Sequence, residues 1–488
     1  MGILNSASET GAVARQMGAA VRLYPALCLS LACYWFWQGS LFQSPQAFLE
    51  SGSASSGGME FWPSVILLSF SLAAYVVLAL MHGRLRPLMV LRGYPVAIAL
   101  LMGVGGAVVV SGMSSGIVTA LSLAALGVGA PLFVCELGRL FAQLGPNRTL
   151  YVGGLGTLGG MLLRLLFDLL PHLAFQCAIA ISAPLAVALY ARARSDFSRA
   201  LLFPEDYAVL RSPWRFNGVC LLQGVSFGVF TVLLAESGAV GHSVAYLLAS
   251  PVGVAALIVV GLLVRMDFNN LLFRTGLPLL TLGFLLVALF PETSELGGFA
   301  FNVGYCYLYV IATCICSYFG KELRCSPIWI TALITAFLVG GQLAGIIGTP
   351  LLLGGAAGAG VLGGPEGPGV LSVVQIATIA CCAIPVVGLF LLDKDNPERG
   401  WGAISPGEQP DVREAELRGF FADRGLTARE IDVAMLLARG LTKRYIAQRL
   451  TISEETVKTH IGNVYRKVGV HSQQELIMQA DQEHAEQV

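Results

Sequence analysis

Stretches of about 20 predominantly apolar residues, the length a helix needs to cross a hydrocarbon core about 30 Å thick, recur along the first 392 positions of this chain. Centred within 23–42, 62–81, 94–111, 116–135, 150–169, 173–190, 216–235, 244–264, 275–291, 299–319, 328–353 and 371–392, they predict twelve transmembrane helices. Lipid offers the backbone no hydrogen-bond partners, so each such segment is held to a helix. Composition agrees: 55% of the 488 residues are hydrophobic and 12% charged, against about 25% charged in soluble domains. A purely soluble enzyme is excluded. The 57 glycines follow no G-X-Y period and predict close helix contacts. All eleven cysteines precede residue 383 without paired metal-type spacing, which reads as small core hydrophobes rather than disulfides or ligands. No cleavable signal pattern precedes Arg22, so the first apolar segment is expected to stay as a membrane helix.

Net charge is zero, with 30 basic and 30 acidic side chains, so only their placement informs. One set of loops holds Arg15 and Arg22, then Arg84, Arg86 and Arg92, then Arg139 and Arg148, then five arginines between 192 and 215, then Arg265 and Arg274, then Lys321 and Arg324. The alternate loops hold no Lys or Arg and instead carry Glu50, Glu60, Glu236, Glu292, Glu295 and Glu366. The positive-inside rule then predicts a multi-pass protein of the inner (cytoplasmic) membrane with both termini cytoplasmic.

The basic loop 191–215 divides the spans six and six. That layout resembles the major facilitator superfamily, which implies two six-helix halves around a central cavity. Between spans two and three the sequence reads His82-Gly83-Arg84-Leu85-Arg86-Pro87, basic but without the acidic residue of that family's signature.

Polar residues inside spans are costly and point to function or to interhelical bonding. Arg164 in the fifth span has Asp168 one turn later, a spacing for an i, i+4 pair or for a ligand contact. Gln38, Gln176, Gln223, Asn302, Gln342 and Gln375 each read first as interhelical glue, and Arg164, Gln223, Asn302 and Gln342 are the candidate ligand residues. The aromatic run Tyr34-Trp35-Phe36-Trp37 and the tyrosines 305, 307 and 309 read as packing or an interfacial belt. The glycine-rich run 153–160 lacks a phosphate-loop lysine and a preceding strand, so it reads as helix contact. Neither a cofactor nor a metal site is expected, and no nucleophile–base cluster suggests an enzyme.

The last 96 residues differ in kind, carrying 13 of the 30 basic residues and no long apolar run. The expected division is a membrane domain 1–392, a proline-marked linker 393–415 and a soluble domain 416–488. Thr427 and Glu430 form a capping box for one helix, which Gly440 ends. A short helix follows Thr442, and Ser453 caps a third whose inward stripe is Val457, Ile461, Val464 and Val468. From 439 to 467 seven basic residues face only Glu454 and Glu455.

Leu426-Thr427-x-Arg429-Glu430, Gly440-x5-Ile446-Ala447, Ile452-Ser453-x2-Thr456-Val457-Lys458-Thr459-His460-Ile461 and Lys467-Val468-Gly469-Val470 resemble the LuxR/GerE-type helix-turn-helix. The resemblance implies a four-helix domain whose third helix enters the DNA major groove and whose last helix, here about 472–485, pairs two subunits. On it, Lys458, Thr459, His460 and Asn463 are expected at base edges, and Thr442, Lys443, Arg444, Arg466 and Lys467 at phosphates. Gly462 stands where some relatives carry a long polar reader.

The expected fold class is all-α: a twelve-helix, six-plus-six membrane bundle followed by a small four-helix DNA-binding domain. The expected function is a membrane-bound one-component transcription regulator responding to a small-molecule effector, with double-stranded DNA and membrane lipid as partners and a homodimer on DNA. The alternative is an active secondary transporter with a fused regulatory domain.

Overall fold

The computed structural model describes residues 7–42, 62–91, 93–111, 116–195, 213–236, 244–263, 268–291, 294–321, 323, 325–353, 371–391, 410–438, 443–473, 475–476 and 479. The chain forms two compact units, Met1–Gly407 and Glu408–Val488.

In the first unit every expected span is helical: α2 Pro25–Phe42, α3 Trp62–Val90, α4 Tyr94–Ser111, α5 Gly116–Leu144, α6 Pro146–Phe167 and α7 His172–Arg194, then α8 Trp214–Glu236, α9 Val244–Leu263, α10, α11 Ser294–Lys321, α12 Pro327–Leu353 and α13 Val373–Leu391. The helix α10 runs through Phe268–Leu271, a wider π turn Leu272–Gly276 and Leu277–Leu289. Among the described residues ten helices are long and apolar enough to cross a bilayer, and Leu247–Leu263 is a shorter apolar one. Prolines open α2, α6 and α12, where the missing N–H costs no helical bond. Ser372 and Gln375 cap α13 reciprocally, each backbone amide donating to the other's side chain at 2.8 and 3.2 Å.

Hydropathy does not predict the helix α1, Ala7–Leu23, which meets α2 at an 87° bend. It buries Val13 and Ala20, seven residues apart, and exposes Arg15 and Arg22. That is the pattern of a helix with one apolar stripe.

The two halves repeat one packing scheme. In the first, α2 packs on α6 and α7, α4 on α7, and α5 on α3 and α4; in the second, α8 packs on α12 and α13, α10 on α13, and α11 on α9 and α10. Two apolar cores largely follow the halves, the first drawing in Ile328, Ala332, Ala336 and Val339 of α12 and the second Leu150 and Met161 of α6. Across the divide α3 meets α12 and α9 meets α6, while α11 touches α5 and α6.

Lipid supplies no hydrophobic drive between helices, so close van der Waals approach must hold the pairs. The α8–α12 contact is the tightest case. Gly224 and Gly228 face Gly341 and Gly345, and a Cβ on any of the four would collide with the opposite backbone, for example 2.6 Å from the Val225 carbonyl at Gly345. In the first half Gly156 and Gly160 of α6 meet the α2 backbone at Cys28 and Ala32.

The sequence reading placed Arg139 in a loop and ended the fourth span at 135. That placement is corrected: α5 continues to Leu144, so Glu136 and Arg139 lie inside the helix, each 1% exposed. They pair at 3.1 Å, the Tyr190 hydroxyl donates to Glu136, and an Arg194 nitrogen stands 4.0 Å from the same carboxylate. The buried charges are thereby satisfied within the first half.

Gly224→Ala is expected to lower the thermal unfolding temperature of the detergent-solubilised full chain, at a cost of at least about 1–3 kcal/mol. Gly348→Ala, with nothing within 4 Å of the added Cβ, should leave it unchanged. Tryptophan fluorescence during heating checks both.

Candidate functional site

In the second unit, α14 Pro410–Asp423, α15 Ala428–Ala438, α16 Lys443–Leu450 and α17 Glu454–Val468 surround a core that includes Phe421, Val433, Ile446, Val457, Val464 and Leu476. The helix α14 begins inside the stretch expected as linker, which its polar, proline-bearing sequence concealed. The Thr427–Glu430 capping box is formed: the Thr427 amide donates to Glu430 Oε2 at 2.9 Å, and the Glu430 amide to the Thr427 hydroxyl at 3.4 Å. Ser453 accepts from the Thr456 amide at 3.1 Å, and Gly469 closes α17 in the left-handed region at φ 80°. After α17, Ser472 and Glu475 make another box, and the His471 amide and Ser472 hydroxyl hold the Glu475 carboxyl below the usual range.

Between α16 and α17, Thr451 takes φ 55°. A β-branched side chain is strained there. The strain is set by the corner itself, where the Ile452 amide reaches back to the Ala447 carbonyl at 3.0 Å. This corner fixes the angle at which α17 leaves the domain.

The stripe Val457, Ile461, Val464 and Val468 is buried, so the opposite face of α17 is free to present side chains. Lys458, Thr459, Gly462 and Arg466 are exposed, and Asn463 and His460 are half-buried. Lys458 pairs with Glu455 at 3.2 Å, a fully solvated contact of little net energy. The Thr459 hydroxyl donates to the Glu455 carbonyl at 3.1 Å, leaving its lone pairs outward. Arg466 donates to Asn463 Oδ1 at 3.1 Å, and His460 Nδ1 is buried without a hydrogen-bond partner. Nothing lies within 4 Å of a Cβ at Gly462.

Of the expected phosphate residues, Lys443 is exposed at the start of α16. Arg444 lies on α16 with its side chain outside the described residues, as Thr442 is entirely. Lys467 has a structural task the spacing did not reveal. Its ammonium donates to Glu430 Oε2 at 2.7 Å and to the Gly425 carbonyl at 3.0 Å, pinning the end of α17 to the start of α15. That ammonium, with the Thr427 amide, lowers the Glu430 carboxyl to about 2 from an ordinary 4.5. The resulting stabilisation is present above pH 4.5 and disappears as the pH falls through about 2.

The first unit holds a cavity between its halves, lined by α2, α5 and α6 on one side and α8, α11 and α12 on the other. About 830 Å³ of space lies between these walls, part of it open to solvent. Trp35 and Tyr309 touch edge to face at 5.1 Å across the divide and also line a smaller cavity with Gln38, Tyr305 and Met161. Gln223 lines the larger cavity while its amide donates to the Tyr305 carbonyl at 3.1 Å. Gln342 donates to the Tyr305 hydroxyl at 2.7 Å, joining α12 to α11, whereas Asn302 donates to the Gly298 carbonyl at 3.1 Å within α11. Arg164 is buried, Asp168 exposed, and neither borders the two cavities. The aromatic residues pack as expected, Tyr34, Phe36 and Trp37 in the first core and Tyr307 in the second, and Tyr34, Trp35, Tyr305 and Tyr309 also line the cavities.

At the cavity's end nearest the α5–α6 corner, three bonds join the halves. Thr149 Oγ1 donates to Ser317 Oγ at 3.0 Å, Ser317 to the Phe141 carbonyl at 2.6 Å, and Lys321 Nζ to the Leu144 carbonyl at 3.0 Å.

Comparison with known proteins agrees with both geometries. Residues 424–480 match the family described as bacterial regulatory proteins, luxR family (GerE). Over 137 residues the chain is 34% identical to the nitrate/nitrite response regulator protein NarP of Escherichia coli, a span of 24% of this chain and 64% of that protein. Over 47 residues it is 55% identical to the nitrate/nitrite response regulator protein homolog of Haemophilus influenzae, 10% of this chain and 23% of the relative. The chain thus spans less than two thirds of either regulator. The human organic anion transporter MFSD10 superposes with a TM-score of 0.51 at 14% identity, covering 78% of this chain and 99% of the transporter. At that identity the likeness is one of fold.

Replacing Thr451 with Gly removes the left-handed strain of a β-branched residue, worth about 1 kcal/mol. In a soluble fragment of residues 408–488 this should raise the melting temperature by roughly 4–8 °C, as read by far-ultraviolet circular dichroism.

Proposed function

From a LuxR-type helix-turn-helix domain joined to a membrane bundle of major-facilitator fold, we propose that this chain is a membrane-bound one-component transcription regulator. The bundle senses a ligand and the tail occupies promoter DNA. The observation that carries the reading is the coexistence of two interfaces in one chain: a reader helix with an outward polar face, and a cavity between two packed halves. Only residues 392–409 separate the last membrane helix from the first helix of the tail, which leaves no room for a phosphoacceptor domain between them.

Basic loops on one side put both termini in the cytoplasm of a cell bounded by an inner membrane, where the tail reaches the chromosome. Lys458 and Thr459 contact base edges, His460 and Asn463 flank them, and Lys443, Arg444 and Arg466 hold phosphates, with Thr442 beside them. The third donor of Lys467 serves the same backbone. Glu454 and Glu455 favour the helix N-terminus yet repel phosphate, so one tail binds weakly. Pairing two membrane-tethered copies raises their effective concentration, and the DNA-bound form is a homodimer. A ligand shifts that state by binding one arrangement of the halves more tightly than the other.

A second reading, an active transporter with an attached regulator, draws support from the likeness in fold to a transporter. Gradient-driven flux in proteoliposomes that persists without residues 395–488 would favour it. No enzymatic step is assigned.

The Lys458→Ala, Thr459→Val double variant should lose at least tenfold in chromosomal occupancy, read by crosslinking and sequencing, while its amount in the membrane fraction stays unchanged. Occupancy equal to that of the unaltered chain would refute the assigned reading face.

A further inference from the structure

The cavity between the halves has a chemistry that narrows what it can hold. Among the described residues no Asp, Glu, Lys, Arg or His borders it or the smaller cavity beside it. The charged cluster of Glu136, Arg139 and Arg194 is satisfied within itself. An ionised ligand would therefore leave water without a counter-charge, at a cost of several kcal/mol or more.

Four aromatic side chains stand among the aliphatic ones of the wall: Tyr34 and Trp35 from α2, Phe141 from α5 and Tyr309 from α11. Such faces and edges match a flat apolar body.

The hydroxyls add direction. Thr313 donates its only proton to the Tyr309 carbonyl at 3.0 Å, and Thr335 donates its own to the Thr331 carbonyl at 2.7 Å. A hydroxyl that has committed its proton presents only lone pairs. In the smaller cavity Gln38 Oε1 is likewise a buried acceptor without a partner. The tyrosine hydroxyls rotate and serve either role, and Trp35 and Gln223 add N–H groups, so the Thr313, Thr335 and Gln38 oxygens are the acceptors the walls hold in place.

We propose that the cavity binds an uncharged, planar aromatic molecule bearing an N–H or O–H donor, which bonds to the Thr313 and Thr335 oxygens while its ring packs against Trp35 and Tyr309. The proposal rests on the sensor reading for its biological use, and on the cavity alone for its chemistry.

Three small molecules of one shape separate the possibilities: indole, neutral with an N–H donor; benzofuran, isosteric without the donor; and indole-3-carboxylate, charged. Calorimetric titration of the full chain in lipid nanodiscs, with empty nanodiscs subtracted, should give saturable indole binding about tenfold tighter than benzofuran, with indole-3-carboxylate weakest. Thr335→Val should weaken indole several-fold and leave benzofuran unchanged. Thr313→Val supplies a second variant should the first fail to fold. Absence of saturable indole binding, equal binding of indole and benzofuran, or preference for the carboxylate would each overturn the proposal. Indole binding that leaves promoter occupancy unaltered would refute the sensor reading and keep the cavity assignment. Occupancy that responds to indole-3-carboxylate alone would do the reverse.

Discussion

Backbone-to-backbone contact between helices is the constraint from which the membrane unit follows. In lipid a helix gains nothing by hiding leucine from leucine, so α8 and α12 are held by the approach that Gly224, Gly228, Gly341 and Gly345 permit. The α2–α6 pair repeats the arrangement with Gly156 and Gly160. These four helices all contribute to the wall of the central cavity. The same contacts that stabilise each half thus set the spacing of Trp35, Gln223 and Thr335 around it.

Charge is sorted just as strictly. Glu136, Arg139, Tyr190 and Arg194 close a network inside the first half, while among the described residues no charged side chain lines either cavity. Among the described residues Thr149 donates to Ser317, Ser317 to the Phe141 carbonyl and Lys321 to the Leu144 carbonyl across the divide. In the tail the opposite choice is made: Lys467 and Glu430 tie α17 to α15, and the corner at Thr451 aims α17.

Much of this was legible in the sequence, and the misses have physical causes. Apolar runs and alternating basic loops located the spans because hydropathy and topology leave their mark locally. The capping residues Thr427, Glu430, Ser453 and Gly469 were readable for the same reason. Glu136 and Arg139 were missed because a window of about 20 residues cannot show that α5 has 29. Trp35 and Tyr309 could not be assigned to a cavity, since nothing local records which face of α2 meets which face of α11. Lys467 read as a phosphate contact because its partner lies 37 positions earlier. The helix α14 begins at Pro410 within polar sequence that carries no strong helical period.

The central claim is that the arrangement of the two halves governs whether the tail occupies DNA. Thr149 and Ser317 face each other across the divide with oxygens 3.0 Å apart, so cysteines at both positions can be joined by oxidation and released by reductant. The direct measurement is binding of a DNA fragment recovered by chromatin mapping to this double variant in nanodiscs, before oxidation, after it, and after reduction, with Thr149→Cys alone as control. The account predicts an affinity that changes on oxidation, no longer responds to ligand, and returns with reductant. An affinity indifferent to the crosslink would contradict it.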